Sequence, residues 1–145
     1  MTRINLVPPA ELSNQHLFAE FREIKMIPKA LNRSLLALER REQDPQVLLD
    51  RIPKEYCLGK GHVSFFYNKG HYLVCRYRLL REELIKRGVN FDRAAELDPD
   101  GIFNILGYNF NMGYNPPDAA LALIRARIAE KIAMKPTWYR WTSTG

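Results

Sequence analysis

The sequence predicts an all-α fold: one compact domain over residues 1–145, built of about four helices joined by long irregular loops. Four segments carry apolar residues at helical spacing and are bounded by residues that favour helix termini. With 46% hydrophobic residues, a chain of 145 residues can bury one core. Residues 63–67 have strand-like propensity but no evident partner strand, so we expect tertiary context to override it.

The first helix is expected to start at Pro8-Pro9 and to run to about Ile24. Proline is favoured at the first helical position, and Glu11 would place negative charge in the first turn. An apolar stripe on this helix can face the core. It consists of Leu17, Phe21 and Ile24.

A separate polar stripe runs along the same predicted helix. Its members lie seven apart in two pairs, and seven residues at about 100° each come within about 20° of two full turns. They are Gln15 and Arg22, and His16 and Glu23. Polar helix faces are commonly just solvated, so spacing alone leaves the role of this stripe open.

The second helix is predicted from Pro28 to near Arg41, with a further short helical turn within 45–52. The third is predicted over 71–87, where Gly88 is placed to cap it in the left-handed conformation. Their inward-facing residues are Leu31, Leu35 and Leu38 on the second helix, and Leu73, Tyr77, Leu80 and Leu84 on the third.

The fourth helix carries the clearest end signals. Asn115 can cap it, Pro116 can occupy its first position, Asp118 lies in its first turn, and Pro136 stops it. The predicted buried stripe consists of Leu121, Ile124, Ile128 and Ile132.

The charge balance indicates a polyanionic partner. Lys and Arg number 22 against 16 Asp and Glu, which gives a net charge of +6 and a pI of about 9.5. Two basic clusters, within 76–87 and 125–140, are candidates for a phosphate track, with solvated helix faces as the alternative. Their members are Arg76, Arg78, Arg81, Lys86 and Arg87, and Arg125, Arg127, Lys131, Lys135 and Arg140.

The sequence does not indicate a membrane protein, a secreted protein or a metalloprotein. The chain has no apolar run of 18 residues and no signal-like start, so we expect no membrane span and a cytoplasmic location. Cys57 and Cys75 lack metal-ligand spacing and are expected to be free core thiols. The three histidines form no metal-binding pattern, and we expect neither a metal nor another cofactor.

The N-terminus offers a possible nucleophile. Thr2 is small enough for Met1 to be removed, which would leave a free threonine α-amine. The reference pKa of an α-amine is about 7.7–8.0 against about 10.4 for lysine, so at pH 7 roughly a few hundred times more of it is neutral and reactive. The alternative is an ordinary processed N-terminus.

The C-terminal segment 137–141 combines aromatic and basic residues. Trp138, Tyr139 and Arg140 could stack on exposed bases and hold phosphates, with stacking worth about 1–3 kcal/mol per base. The alternative is an aromatic plug that closes the core.

Four blocks of sequence resemble the pyrimidine-dimer DNA glycosylases: MTRINL, ELSNQHLFAEFREI, GHVSFFYNK and ARIAEKIAMKPTWYRW. The resemblance covers nearly the whole chain, with insertions around 38–55 and 96–114. It implies a compact, mostly helical protein whose N-terminal threonine amine attacks the sugar C1′ of a damaged nucleotide, with a glutamate as essential partner. Thr2 and Glu23 stand at those positions.

The resemblance also implies DNA-binding residues. Arg127 and Lys131 match basic positions that hold phosphates in the family, and Arg3 and Arg22 suit bidentate phosphate contacts. The further candidates are Gln15, His16, Lys25, Trp138, Tyr139 and Arg140. His16 could either orient the glutamate or touch a phosphate. The phage member carries an arginine where Met26 stands here, and Lys25 is the neighbouring substitute.

The function that the resemblance implies is that of a cofactor-independent, monomeric DNA glycosylase with AP-lyase activity. It would excise the 5′ base of UV-induced cyclobutane pyrimidine dimers in double-stranded DNA, and nick abasic sites, while associated with the nucleoid. Two alternatives are a glycosylase for oxidised or ring-opened bases and a catalytically silent protein that binds bent or damaged DNA.

Overall fold

Six α-helices and one 3-10 turn make up the regular structure of the residues that the structure describes. The computed structural model describes residues 3–92 and 94–142, and in these ranges it contains no strand beyond an isolated bridge between Lys69 and Asn111. The all-α prediction is confirmed. The elements are the 3-10 turn Pro9–Glu11, α1 Asn14–Glu23, α2 Met26–Arg40, α3 Gln46–Asp50, α4 His62–Phe65, α5 Gly70–Lys86 and α6 Asp118–Met134.

The first helix begins later than the prolines indicate. Pro9–Glu11 forms only a 3-10 turn, and Leu12 is extended and buried. Ser13 then caps α1, because its hydroxyl accepts from the His16 backbone N–H at 3.1 Å. The prediction of one helix from Pro8-Pro9 was therefore wrong about its start.

The break between α1 and α2 follows from Pro28. A proline has no N–H, so it cannot donate to the Ile24 carbonyl four residues earlier. The Ile27 N–H donates to that carbonyl instead, at 3.2 Å. Helix α1 ends at Glu23, and α2 starts at Met26, two residues before the predicted position.

The last two long helices largely match their predictions. Gly88 follows α5 with φ +94°, as expected of a left-handed cap. However, α6 starts at Asp118 rather than at Pro116. A residue that precedes a proline is pushed out of the helical region, and Pro116 precedes Pro117. The pair Pro116-Pro117 therefore moves the start of α6 to Asp118.

The strand-like segment 63–67 is helical and then turns. Phe65, Phe66 and Tyr67 are all buried, which places three consecutive aromatic rings in the core. A strand would expose alternate residues on opposite faces, whereas this tight turn buries all three. Tertiary packing overrides the local propensity, as expected.

The basic cluster on α5 is largely internal. Arg76 is buried against Glu20, and the guanidinium of buried Arg81 donates to the Ala95 carbonyl. Arg87 donates to Glu83 at 3.1 Å and to Asn14 at 2.9 Å. These three arginines hold the fold together, so the interpretation of residues 76–87 as a phosphate track was wrong for them.

The two cysteines are free, as expected, but neither is a core thiol. Cys57 is half-buried and Cys75 is exposed. In the described part of the chain, no helix is both long and apolar enough to cross a membrane.

Candidate active site

A pocket of about 270 Å³ lies between the N-terminal segment, α1 and α6. It brings together five of the residues that the sequence predicts for the site, although they come from three separate parts of the chain. The lining residues are Arg3, Asn5, His16, Ala19, Glu20, Glu23, Arg127, Ile128 and Lys131.

Helix periodicity explains which side chains reach this pocket. His16 and Glu23 lie seven apart on α1, and Arg127 and Lys131 lie four apart on α6. Each pair therefore presents one face, and the two faces meet across the pocket. Arg3 adds a third cation from the N-terminal segment, so the walls suit an anionic ligand.

Two carboxylates line the pocket, and they differ in what they bind. Glu20 is only 1% exposed. Its Oε2 accepts from Arg76 Nε at 2.7 Å, and its Oε1 accepts from Arg76 Nη2 at 3.0 Å and from the Asn5 amide group at 2.9 Å. The hydrogen-bonding capacity of Glu20 is therefore taken up by the fold.

Glu23 is half-buried at the end of α1. No side chain of residues 3–92 or 94–142 donates a hydrogen bond to it. Its carboxylate is therefore available to a ligand in the pocket, unlike that of Glu20. Sequence reasoning selected Glu23 but missed Glu20, whose only signal was a second carboxylate three residues earlier on the same helix.

His16 is held as a wall of the pocket. Its Nδ1 lies 3.1 Å from Ser13 Oγ, and its ring stacks on Tyr139 with centroids 4.7 Å apart. Burial lowers the pKa of His16, and the positive charges of Arg3 and Lys131 lower it further. The imidazole is therefore neutral at physiological pH. The described residues contain no hydrogen bond from His16 to Glu23, so the suggested orienting role finds no support here.

A second groove, of about 390 Å³, lies on the neighbouring face of α1. Phe18, Arg22 and Trp138 are exposed along it, with Trp138 54% accessible. The remaining lining residues are Asn14 and Gln15. Because Trp138 is so exposed, it does not plug the core. Its ring packs edge-on against that of Tyr139, with centroids 5.0 Å apart, and Lys135 Nζ lies 5.6 Å from its centroid.

Gln15 connects this groove to the C-terminal tail, residues 135–142. Its Nε2 donates to the Trp138 carbonyl at 2.7 Å, and its Oε1 accepts from the Arg140 backbone N–H at 3.0 Å. Both ends of the amide are thus engaged by the tail backbone. The guanidinium of Arg140 donates to the Thr137 carbonyl at 2.6 Å. Gln15 therefore positions the aromatic tail.

Three lysines could in principle compete as amine nucleophiles, and they differ in their position relative to the pocket. Lys25 Nζ lies 5.1 Å from the Phe21 ring centroid and 6.0 Å from that of Tyr77, and Lys25 lines neither the pocket nor the groove. Burial lowers the pKa of Lys69 to about 8, but its Nζ donates to the Phe65 carbonyl at 2.8 Å. Lys131 is the lysine among the residues that line the pocket.

Two further sequence predictions concern the site. Thr2 lies outside the described residues, and its chain neighbour Arg3 lines the pocket. Met26, at the position of the phage arginine, is 43% exposed and belongs to neither cavity. Among residues 3–92 and 94–142, no group of three His, Cys, Asp or Glu side chains could hold a metal ion.

A family model matches more than half of the chain. The family model of pyrimidine dimer DNA glycosylase matches residues 1–97 of the 145. The matched part contains the N-terminal segment, α1 and α5, and hence Arg3, Glu20 and Glu23 from the pocket and the arginine that binds Glu20. The chain belongs to the pyrimidine dimer DNA glycosylase family, whose substrate is DNA.

Proposed function

We propose that this protein excises the 5′ base of cyclobutane pyrimidine dimers and then nicks the strand, with the α-amine of Thr2 as nucleophile and Glu23 as its acid–base partner. The observation that carries the proposal is an available carboxylate, Glu23, in a basic pocket that is also lined by the residue following Thr2. Double-stranded DNA is the partner, and the protein acts as a monomer without a metal.

The first step is displacement of the base. The amine lone pair forms a bond to the sugar C1′, while the glycosidic bond breaks and its electron pair leaves with the base. The sugar carries positive charge in this transition state, and a nearby carboxylate stabilises it. Glu23 supplies the negative charge of this carboxylate, because the charge of Glu20 is already neutralised by Arg76.

The second step is strand scission. Opening of the sugar ring leaves an imine between the protein and C1′, which acidifies the C2′ proton. Glu23 removes that proton, the electron pair forms a C2′–C3′ double bond, and the C3′–O bond breaks with departure of the 3′ phosphate. Arg3, Arg127 and Lys131 hold the flanking phosphates while this happens.

The groove beside the pocket suits a nucleobase. Its exposed Phe18 and Trp138 rings offer stacking surfaces, and Arg22 offers a phosphate contact. Extruding a base from the DNA duplex costs a few kcal/mol, and the cost is lowest where base pairing is already weak. Damaged duplex is therefore favoured over intact duplex.

Borohydride trapping tests the nucleophile directly. Processed protein is incubated with DNA that contains a single dimer, reduced, digested and mapped. We expect the adduct on the peptide that begins at Thr2, and we expect acetylation or retention of Met1 to abolish it. Thr2→Ser should still form the adduct, since the backbone nitrogen reacts. An adduct on Lys25, Lys69 or Lys131 would overturn the proposal.

A further inference from the structure

The segment 4–7 runs through the protein interior. All four residues are buried, although the segment belongs to no helix or strand. Buried backbone groups outside regular structure need partners from elsewhere in the fold. Here those partners come from α1, from α4, from α5 and from the loop before α4.

Both polar groups of Ile4 are bound by side chains more than 50 residues away in sequence. The Ile4 N–H donates to His62 Nε2 at 2.8 Å. The Ile4 carbonyl accepts from the Tyr56 hydroxyl, also at 2.8 Å. Burial raises the pKa of Tyr56, so the hydroxyl keeps the proton that it donates.

The next three residues are fixed as tightly. The Asn5 N–H donates to Glu20 Oε1 at 3.1 Å, and the Val7 carbonyl accepts from Arg76 Nη1 at 2.6 Å. Between them Leu6 has φ +60°, and the Val7 N–H donates to the Asn5 carbonyl, which forms a tight γ-turn. A positive φ at leucine is strained, so it persists only because its surroundings hold it.

The hydrogen bonds of His62 define its protonation state. Its Nδ1 donates to the Cys57 carbonyl at 2.8 Å, which leaves the Nε2 lone pair to accept from Ile4. This pattern requires the neutral imidazole with its proton on Nδ1. A protonated His62 would direct a second N–H at the Ile4 N–H and break the contact.

We propose that His62, with Tyr56, is a positioning residue for the N-terminal amine. Ile4 lies two residues after Thr2, and two residues span at most about 7 Å. Fixing both polar groups of Ile4 therefore limits the distance of the amine from Ile4 to about 7 Å. Misplacing a reacting group by about 1 Å can cost a hundredfold in rate, so loosening the anchor at Ile4 should lower the reactivity of the amine. The inference rests on the proposed function, because it assumes the amine to be the nucleophile.

The restraint depends on pH. Burial lowers the pKa of His62, the charge of Arg3 lowers it further, and the Cys57 hydrogen bond and the charge of Glu20 raise it. The Tyr56 and Phe66 rings face it edge-on, with centroids 5.3 and 5.5 Å away. His62 is therefore neutral at neutral pH, and its contact with Ile4 is lost as the pH falls through this lowered pKa.

Single-turnover trapping on abasic-site DNA tests the inference. His62→Leu removes the acceptor, and Tyr56→Phe removes the donor but keeps the ring. We expect each to slow adduct formation by about 10- to 100-fold, with DNA affinity within about twofold of the parent. The matched controls are His71→Leu, an exposed histidine, and Tyr114→Phe, whose ring packs on Phe65 as that of Tyr56 does. Both controls should trap at the parental rate.

The pH profile gives a readout that loss of stability alone would not change. Below neutral pH, protonation of the amine lowers the logarithm of the parental rate by one unit per pH unit. Below the lowered pKa of His62, protonation of this residue as well should increase the slope to about two. His62→Gln offers an amide oxygen near the position of Nε2 but does not titrate. This variant should retain most of the activity and keep a slope of one.

The outcomes separate the two hypotheses. If the parent forms no adduct at Thr2, the proposed function fails. If the parent forms it, but Tyr56→Phe and His62→Leu trap at the parental rate, His62 and Tyr56 are not positioning residues. If His62→Leu does not fold, Tyr56→Phe and the pH slope of His62→Gln decide, and a slope of two in that variant would overturn the inference.

Discussion

The N-terminal segment 4–7 and the C-terminal tail 135–142 both bind α1, but by different means. The N-terminal segment 4–7 is buried and bound by the side chains of Glu20, Tyr56, His62 and Arg76. The C-terminal tail 135–142 is largely exposed, and Asn14 and Gln15 hold it through surface hydrogen bonds. Buried hydrogen bonds permit little movement, whereas exposed ones exchange readily with water.

This difference matches the chemistry proposed for each end. A nucleophile must be placed to within a fraction of an ångström, so a rigid interior attachment serves it. Aromatic rings that stack on bases tolerate several arrangements, so an adjustable surface attachment suffices for them. The following experiments test whether the two attachments differ in this way.

The largest effect is expected at Glu23, the last residue of α1. Glu23→Gln should lower base excision by about 10²–10⁴-fold, because an amide can neither stabilise the cationic sugar nor accept the C2′ proton. Binding to dimer-containing DNA should be unchanged or slightly tighter. The assay is single-turnover excision, with exposed Glu39→Gln on α2 as the control. Excision near the parental rate would remove Glu23 from the mechanism.

The buried attachment should matter most for stability. Arg76→Met leaves the Glu20 carboxylate buried without its counter-ion, so the free energy of unfolding should fall by about 3–5 kcal/mol. Arg78→Met, on the same helix, breaks an exposed pair with Glu96 and should cost less than about 1 kcal/mol. Urea denaturation measures both variants. Equal losses would contradict the distinction between a buried and an exposed ion pair.

The surface attachment should affect binding more than folding. Gln15→Ala removes two of the hydrogen bonds that hold the tail, and Trp138→Ala removes the stacking ring at a cost of about 1–3 kcal/mol in binding to damaged DNA. If Gln15 acts by positioning the tail, the double variant should lose less than the sum, with a coupling of about 0.5–3 kcal/mol. Titration by fluorescence anisotropy measures the cycle. Strict additivity would mean that Gln15 binds DNA independently of the tail.

The smallest effects concern the cations on α6. Arg127→Ala and Lys131→Ala should each weaken binding to damaged and undamaged DNA alike, and should lower the magnitude of the slope of log K against log salt by about 0.9. Arg125→Ala is the matched control, since Arg125 is ion-paired like Arg127 but lines neither cavity. A slope that is unchanged in Arg127→Ala and Lys131→Ala would assign these residues to solvated surface.

Much of the architecture follows from local sequence signals. Pro136, Gly88 and the apolar spacings predict the long helices, and spacings of seven and four residues predict that His16, Glu23, Arg127 and Lys131 share faces. The errors occur where two local signals compete. Ser13 caps α1 in place of Pro8-Pro9, and Pro117 prevents α6 from starting at Pro116.

The sequence by itself determined the helices, the family and the polar stripe on which the candidate glutamate lies, because periodicity, capping and motif order are properties of neighbouring residues. Only the tertiary structure decided that Glu20 is neutralised and Glu23 is available, that Arg76 is internal, and that segment 4–7 is buried. Arg76 lies 56 residues from Glu20, and His62 lies 58 from Ile4. No local pattern encodes contacts over such separations, since they form only when the helices pack and water leaves the groups that they bury.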